Sequence, residues 1–151
     1  MAKNVENTSY RRLDVDAFDP EKFMDCEDAG SASMGPDERL VNQLLHSGKH
    51  SDALKASLSN PPLKCKNQAV KDRSTALVTK VLMNVKVTDM EAIVRTLTDD
   101  EVNLLMKFIY RAMDTQADNI TCQYLLFWHA QVLSRGGYGA IIRVFCDRQR
   151  L

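Results

Sequence analysis

The sequence predicts an all-α fold, and three observations carry that reading. Apolar residues recur at helical spacing in one segment after another. Helix start and stop signals punctuate those segments. No alternating strand pattern of useful length appears between them. With 151 residues, 44% of them hydrophobic and only 6 Gly and 4 Pro, the chain has ordinary globular composition. Collagenous, low-complexity and wholly disordered classes are excluded.

The expected helices lie in a body spanning residues 37–151. Asp37 to His46 places Leu40, Val41, Leu44 and Leu45 on one face, with Gly48 positioned to end the helix in the left-handed region. Ser51 is the expected cap of a short helix carrying Leu54 and Leu58, stopped by Pro61-Pro62. From Asn67 to Lys86, Val70, Leu77, Val78, Val81, Leu82 and Val85 trace one helical face. Two capping boxes follow, Thr88-Asp89-Met90-Glu91 and Thr98-Asp99-Asp100-Glu101. The second opens a regular amphipathic helix through Val102, Leu105, Met106, Ile109 and Met113.

The last two expected helices have a different composition. Cys122 to Leu133 is apolar nearly all round (Tyr124, Leu125, Leu126, Phe127, Trp128, Ala130, Val132), and Gly136-Gly137 is expected to end it. Gly139 to Arg148 carries Ile141, Ile142, Val144 and Phe145, again on more than one face. A helix wetted on one side does not ordinarily have that composition, so these two are either central to the core or covered by another chain. Trp128 and Tyr138 are the residues of this region suited to anchor an interface, if exposed.

Residues 1–36 form a separate region. The chain as a whole has 20 Lys+Arg and 20 Asp+Glu, for a net charge of zero, but the first 36 residues carry −4 and the remainder +4. Only 5 of those 36 residues are Leu, Ile, Val or Phe, too few to form a core of their own, and the composition is that of a disordered segment. Gly30, Ser31, Ala32, Ser33, Gly35 and Pro36 make a hinge. Within the arm, Leu13-Asp14-Val15-Asp16-Ala17-Phe18-Asp19 and Glu21-Lys22-Phe23-Met24-Asp25 interleave acids with spaced apolar anchors. The segment reads either as a solvating tail or as a strip that docks those anchors on a partner.

Chemistry-bearing signals are sparse. Cys26, Cys65, Cys122 and Cys146 form no CxxC pair, and His46, His50 and His129 lie at no zinc spacing from them; reduced, mostly buried thiols are expected. No metal or cofactor is expected. Gly136-Gly137-Tyr138-Gly139 lacks both the preceding strand and the GK[ST] of a phosphate loop, so a helix cap and turn is expected. His129 reads as a hydrogen-bonded core histidine, and Asp99-Asp100-Glu101 as helix N-terminal acids. Met83, Met90, Met106 and Met113 read as core fillers. No catalytic constellation is found, and the chain is not expected to be an enzyme. No 7–15-residue apolar signal core occupies the first 30 residues. The longest charge-free stretch, residues 119–134, is too short and too polar to span a bilayer. An intracellular, soluble chain is therefore expected. Between Lys64 and Lys86 six bases accompany one acid, and Lys66, Arg73 and Lys80 recur every seven residues. This stripe is either a solvated face or a site for an acidic protein surface, and it lacks the aromatic interleaving that nucleic acid would call for.

Several motifs together resemble a known family. Arg12-Leu13-Asp14-Val15-Asp16 through Lys22-Phe23-Met24-Asp25, Asn60-Pro61-Pro62, Ala69-Val70-Lys71-Asp72-Arg73, Leu104 to Tyr110, Trp128-His129, Gly136-Gly137-Tyr138-Gly139 and Arg143-Val144 are similar, in the same order, to subunit 5 of the actin-related protein 2/3 complex. The resemblance implies a non-catalytic subunit of a seven-protein assembly that nucleates actin branches. Its body would be a compact α–α superhelix of about seven helices, packed against the WD-repeat subunit and subunit 4. Its arm would hold actin-related protein 2 through Asp14, Val15, Asp16, Phe18 and Phe23. ATP would be bound by the actin-related proteins 2 and 3, not by this chain. The location implied is the cytoplasm and the actin cytoskeleton of cell projections, with the nucleus as a further compartment. The competing reading from the residues alone is a helical-repeat adaptor that binds acidic peptides through Lys66, Arg73 and Lys80.

Overall fold

A computed structural model describes residues 35–63, 65, 67–115, 118–147 and 151. The strip residues Asp14, Val15, Asp16, Phe18 and Phe23, together with Lys66, lie outside them. Six helices follow in order: α1 (Glu38–His46), α2 (His50–Leu58), α3 (Gln68–Met83), α4 (Val87–Arg95), α5 (Asp99–Thr115) and α6 (Asn119–Cys146). Among the described residues there is no strand. The all-α expectation holds, and with α6 made of two segments joined at a kink the helices number about the seven expected.

The termini of these helices separate the local signals that acted from those that did not. Asp37 caps α1, its carboxylate accepting from the amides of Arg39 (2.9 Å) and Leu40 (3.4 Å). At the other end Gly48, at φ 72°, donates to Leu45 O while Lys49 donates to Leu44 O, each at 3.0 Å. That pair of bonds is the Schellman closure, and it uses the one residue type for which the left-handed region carries no Cβ penalty. Ser51 does not cap α2. The helix starts at His50 with Lys49 in the cap position, and the Ser51 hydroxyl instead meets Thr96 Oγ1 at 3.1 Å.

Of the two expected capping boxes, only the second forms. Thr98 Oγ1 accepts from the Glu101 amide at 3.3 Å, and Glu101 Oε2 accepts from the Thr98 amide at 2.7 Å. At α4 the helix begins at Val87, behind a Lys86 cap that contributes no side-chain bond. Thr88 therefore lies inside the first turn, where its hydroxyl bonds the Asp89 carboxylate (3.1 Å) instead of an orphan amide.

The expected break at Gly136-Gly137 is present as a kink at which two helical segments, together labelled α6, meet. α6 runs 28 residues, and only Gly137 (φ 63°, ψ −174°) departs from helical geometry. Gly136 is needed for packing, since a Cβ there would lie 2.9 Å from Val102 Cγ1 on α5.

The core gathers around α5. Val102, Leu105, Met106, Lys107, Phe108, Ile109 and Ala112 of α5 are all buried, enclosed by α2, α3 and α6. The five consecutive buried positions 105–109 cover every direction around a helix, so α5 is the central element. Trp128 of α6 is fully buried and donates its indole N–H to Leu82 O at 3.1 Å, one of the last carbonyls of α3. Ser74, Thr75 and Thr79, also buried, return their hydroxyls to the carbonyls of Val70, Lys71 and Thr75 at 2.8–2.9 Å. Met90 and Met106 are buried and Met83 and Met113 half-buried, as core fillers.

The two threonines provide a direct test. Thr98→Ala should lower unfolding stability by about 1 kcal/mol, whereas Thr88→Ala should change it by less than about 0.5 kcal/mol. Urea midpoints measure both, and equal losses would contradict the observed helix starts.

Candidate assembly surface

α6 was expected either to be central or to be covered by another chain, and its two faces divide the answer. Leu125, Trp128, Val132 and Ala140 point inward and are fully buried. Ile120, Leu126 and Phe127 lie on the outer side, and beyond the bend so do Tyr138, Ile142 and Phe145. Their exposures range from 42% at Phe127 to 79% at Tyr138. Positions 120, 127, 134 and the intervening 123 and 130 all face solvent, which is the i, i+3, i+7 spacing of a single helical stripe. No charged residue interrupts α6 from Asn119 to Ser134. The stripe is uncharged and carries Ile120 and Phe127, with Leu126 beside it, and exposed large apolar side chains without an intervening charge suit a surface that another molecule covers.

The residues singled out from sequence are distributed unevenly over this geometry. Tyr138 stands on the outer face as the most exposed large side chain of the group. Trp128 is enclosed within the chain, so it supports the ridge from beneath and offers no surface. Ile120, Leu126, Phe127, Ile142 and Phe145 were not singled out, because an all-round apolar helix does not reveal its inward side. That side is set by the Trp128–Leu82 bond and by Val102 packing on Gly136.

The basic stripe lies against α1. Arg73 forms an ion pair with Glu38, and Lys80 Nζ donates to Asn42 Oδ1 at 2.8 Å. The Arg73 hydrogen bond holds the Glu38 carboxyl below its ordinary range, and Glu38 raises the Arg73 guanidinium in turn. The neighbouring Asp72 is also held low, first by its bond from Gln68 and then by Arg111, whose Nη2 lies 3.0 Å away. The side chains of Arg73 and Lys80 thus brace α1 and α3 against one another.

Two grooves flank the C-terminal part of α6 where it crosses α5. One, of about 390 Å³, is lined by Pro61, Leu63, Asp100, Asn103, Arg143 and Asp147. The other, of about 290 Å³, is lined by Tyr110, Arg111, Val144 and Phe145. Lys107 borders both and pairs with Asp147. His129 is half-buried with Nε2 3.3 Å from Tyr110 Oη, and Tyr110 meets the rings of His129 and Phe145 edge-on. Neither groove sets a nucleophile beside a base. Among the described residues no three His, Cys, Asp or Glu gather as a metal site, and no helix is long and apolar enough to cross a membrane. Cys65 is buried, Cys122 half-buried and Cys146 exposed, so burial of the thiols is less general than expected.

Comparison with known proteins places this architecture. Residues 9–151 match the family model of the ARP2/3 complex 16 kDa subunit (p16-Arc). The chain is 41% identical to actin-related protein 2/3 complex subunit 5-C of Xenopus laevis over 149 residues, 99% of each chain. It is 41% identical to the probable subunit 5 of Caenorhabditis elegans over 145 residues, covering 96% of this chain and 99% of that one. The human subunit 5-like protein is also 41% identical, over 152 residues and 99% of each chain.

Two measurements follow from the surface. Leu126→Glu with Phe127→Glu should leave unfolding stability within about 1 kcal/mol of the parent, while Trp128→Ala should cost about 3–5 kcal/mol. A comparable loss from the double variant would place the ridge in the core. For pH, a lowered carboxyl stabilises the fold above its unfolded value and loses that contribution as pH falls through the folded value. Glu38→Gln should therefore flatten the acid limb of the stability profile below about pH 4.5 and leave the slope above pH 6 unchanged. An unchanged acid limb would show that the Arg73 pair does not hold in solution.

Proposed function

The chain belongs to the ARP2/3 complex 16 kDa subunit (p16-Arc) family, and on that premise we propose that it is a non-catalytic structural subunit of the actin-related protein 2/3 complex, serving nucleation of branched actin filaments. The observation that carries this reading is the family match from residue 9 to residue 151, which takes in most of the arm as well as the body. The N-terminal arm tethers actin-related protein 2 to the rest of the complex, with Asp14, Val15, Asp16, Phe18 and Phe23 as the docking strip. In support, the arm carries −4 and spaced apolar anchors, and a 36-residue coil spans roughly 33 Å root-mean-square. The body seats against the WD-repeat subunit and subunit 4, and the uncharged ridge of α6 gives it a surface of suitable chemistry. The complex then acts in the cytoplasm and actin cytoskeleton.

The adaptor alternative loses support from the geometry. Of Lys66, Arg73 and Lys80, the two described residues are engaged by Glu38 and Asn42 of α1. An acidic peptide would compete with those contacts for the same cations.

Assembly and tethering separate in one experiment. Complex reconstituted with a subunit lacking residues 1–36 should assemble normally yet nucleate branches more slowly, as read by pyrene-actin polymerisation and branch counting. Normal nucleation would refute the tether. Leu126→Glu with Phe127→Glu should instead reduce incorporation of the subunit, and undiminished incorporation would remove the ridge from the interface.

A further inference from the structure

The two parts of α6 on either side of Gly137 are held in different ways. Upstream, residues 119–136 bury Leu125, Trp128 and Val132 completely, and Trp128 is bonded to α3. Downstream, Ala140 is the one fully buried hydrophobic residue among 138–147, while Tyr138, Ile142 and Phe145 are largely exposed. Gly137 interrupts the helical backbone between the two parts, so cooperativity carried by the hydrogen-bond ladder is weakest there.

Besides the half-buried Ile141 and Val144, which pack against the core without being enclosed by it, the downstream part is fastened to α5 by polar and ring contacts. Arg143 Nη1 donates to Asn103 Oδ1 at 3.2 Å, Lys107 pairs with Asp147, and the Phe145 ring stands edge-on to Tyr110 with centroids 5.4 Å apart. Asp147 is the residue just after the helix, so the ion pair grips the downstream end of the segment. Lys107 is the better covered member of the pair, its side chain 10% exposed against 40% for Asp147. The grooves of about 390 and 290 Å³ lie on either side and both reach Lys107. The segment therefore crosses α5 as a strap with open space at each edge.

We infer that residues 138–147 form a latch, hinged at Gly137 and fastened by Lys107–Asp147, that opens from α5 as a unit while residues 119–136 stay packed. The physical basis is an imbalance of burial. A segment with few buried apolar contacts belongs to the low-stability end of a fold. A largely buried ion pair adds little net stability, because lifting the strap returns both charges to water. It nevertheless specifies where the strap lies when closed. Tyr138, Ile142 and Phe145 ride on the latch, so its opening re-aims half of the apolar ridge relative to Ile120, Leu126 and Phe127. The inference rests on the intramolecular contacts alone and stands or falls separately from the assembly proposed above.

Native-state hydrogen exchange on the full chain, resolved by peptide mass, tests it. Amides of residues 139–146 should exchange at least about tenfold faster than those of residues 122–134. Asp147→Asn should accelerate the latch amides by about a further tenfold, leaving 122–134 and the Trp128 fluorescence transition unchanged. In a Lys107→Met background the same substitution should accelerate them distinctly less, because the cation it would strand is gone. Equal exchange rates in both parts of α6, or acceleration of both together by Asp147→Asn, would show a single cooperative helix and overturn the latch. Equal acceleration in the presence and absence of Lys107 would overturn the ion pair as its fastening.

Discussion

The structure depends on enclosing the middle of α5. Residues 105–109 are buried at five successive positions, a condition no amphipathic helix meets by packing on one neighbour. α2, α3 and α6 must therefore surround it. Phe108 and Ile109 fill the interior they make, and α6 comes close enough that residue 136 has room only for hydrogen beside Val102. Lys107 falls within the same enclosed run, so its ammonium needs an anionic partner at the edge of the core. Asp147 supplies it from beyond the end of α6. Burial of α5 thus accounts for the interior, for Gly136, and for the contact that fastens the chain's last helix.

A second consequence appears on the opposite side. Once α6 has committed Leu125, Trp128 and Val132 to the core, its remaining apolar side chains face outward. An isolated soluble domain gains nothing from such a stripe, since exposed apolar area lowers solubility without contributing to folding. A subunit of a larger assembly gains buried area when it docks. The family match and the uncharged stripe agree on this point although they are independent observations, one from similarity and the other from the register of a single helix.

Charge on this chain serves mainly for positioning. The pairs Arg73–Glu38, Arg111–Asp72 and Arg135–Asp99 join α3 to α1, α5 to α3 and α6 to α5. With most of these side chains in contact with water, such pairs contribute modestly to stability, and their effect is to choose one arrangement of helices over near neighbours. The basic stripe of α3 illustrates how this escapes a reading of the sequence. Arg73 and Lys80 recur at a spacing that suits an acidic ligand, and their partners Glu38 and Asn42 lie more than thirty residues away on α1.

The sequence by itself determined the helical class, the main helices, the Asp37 cap, the Gly48 stop, the Thr98–Glu101 box and the family. Each is written in local spacing or in an ordered set of motifs, and 3.6-residue periodicity is legible without knowing the neighbours. Tertiary structure decided which expected signals were used. It passed over Ser51 and Thr88 as caps by starting α2 and α4 earlier. It made α5, whose sequence reads as a one-faced helix, the element covered all round. It turned Trp128 inward and left Tyr138 outside, though both sit on apolar helical segments. The physical reason is common to all of these. A helix that is apolar on several sides has several faces able to enter a core, and only the competition among neighbouring helices for the same buried volume selects one.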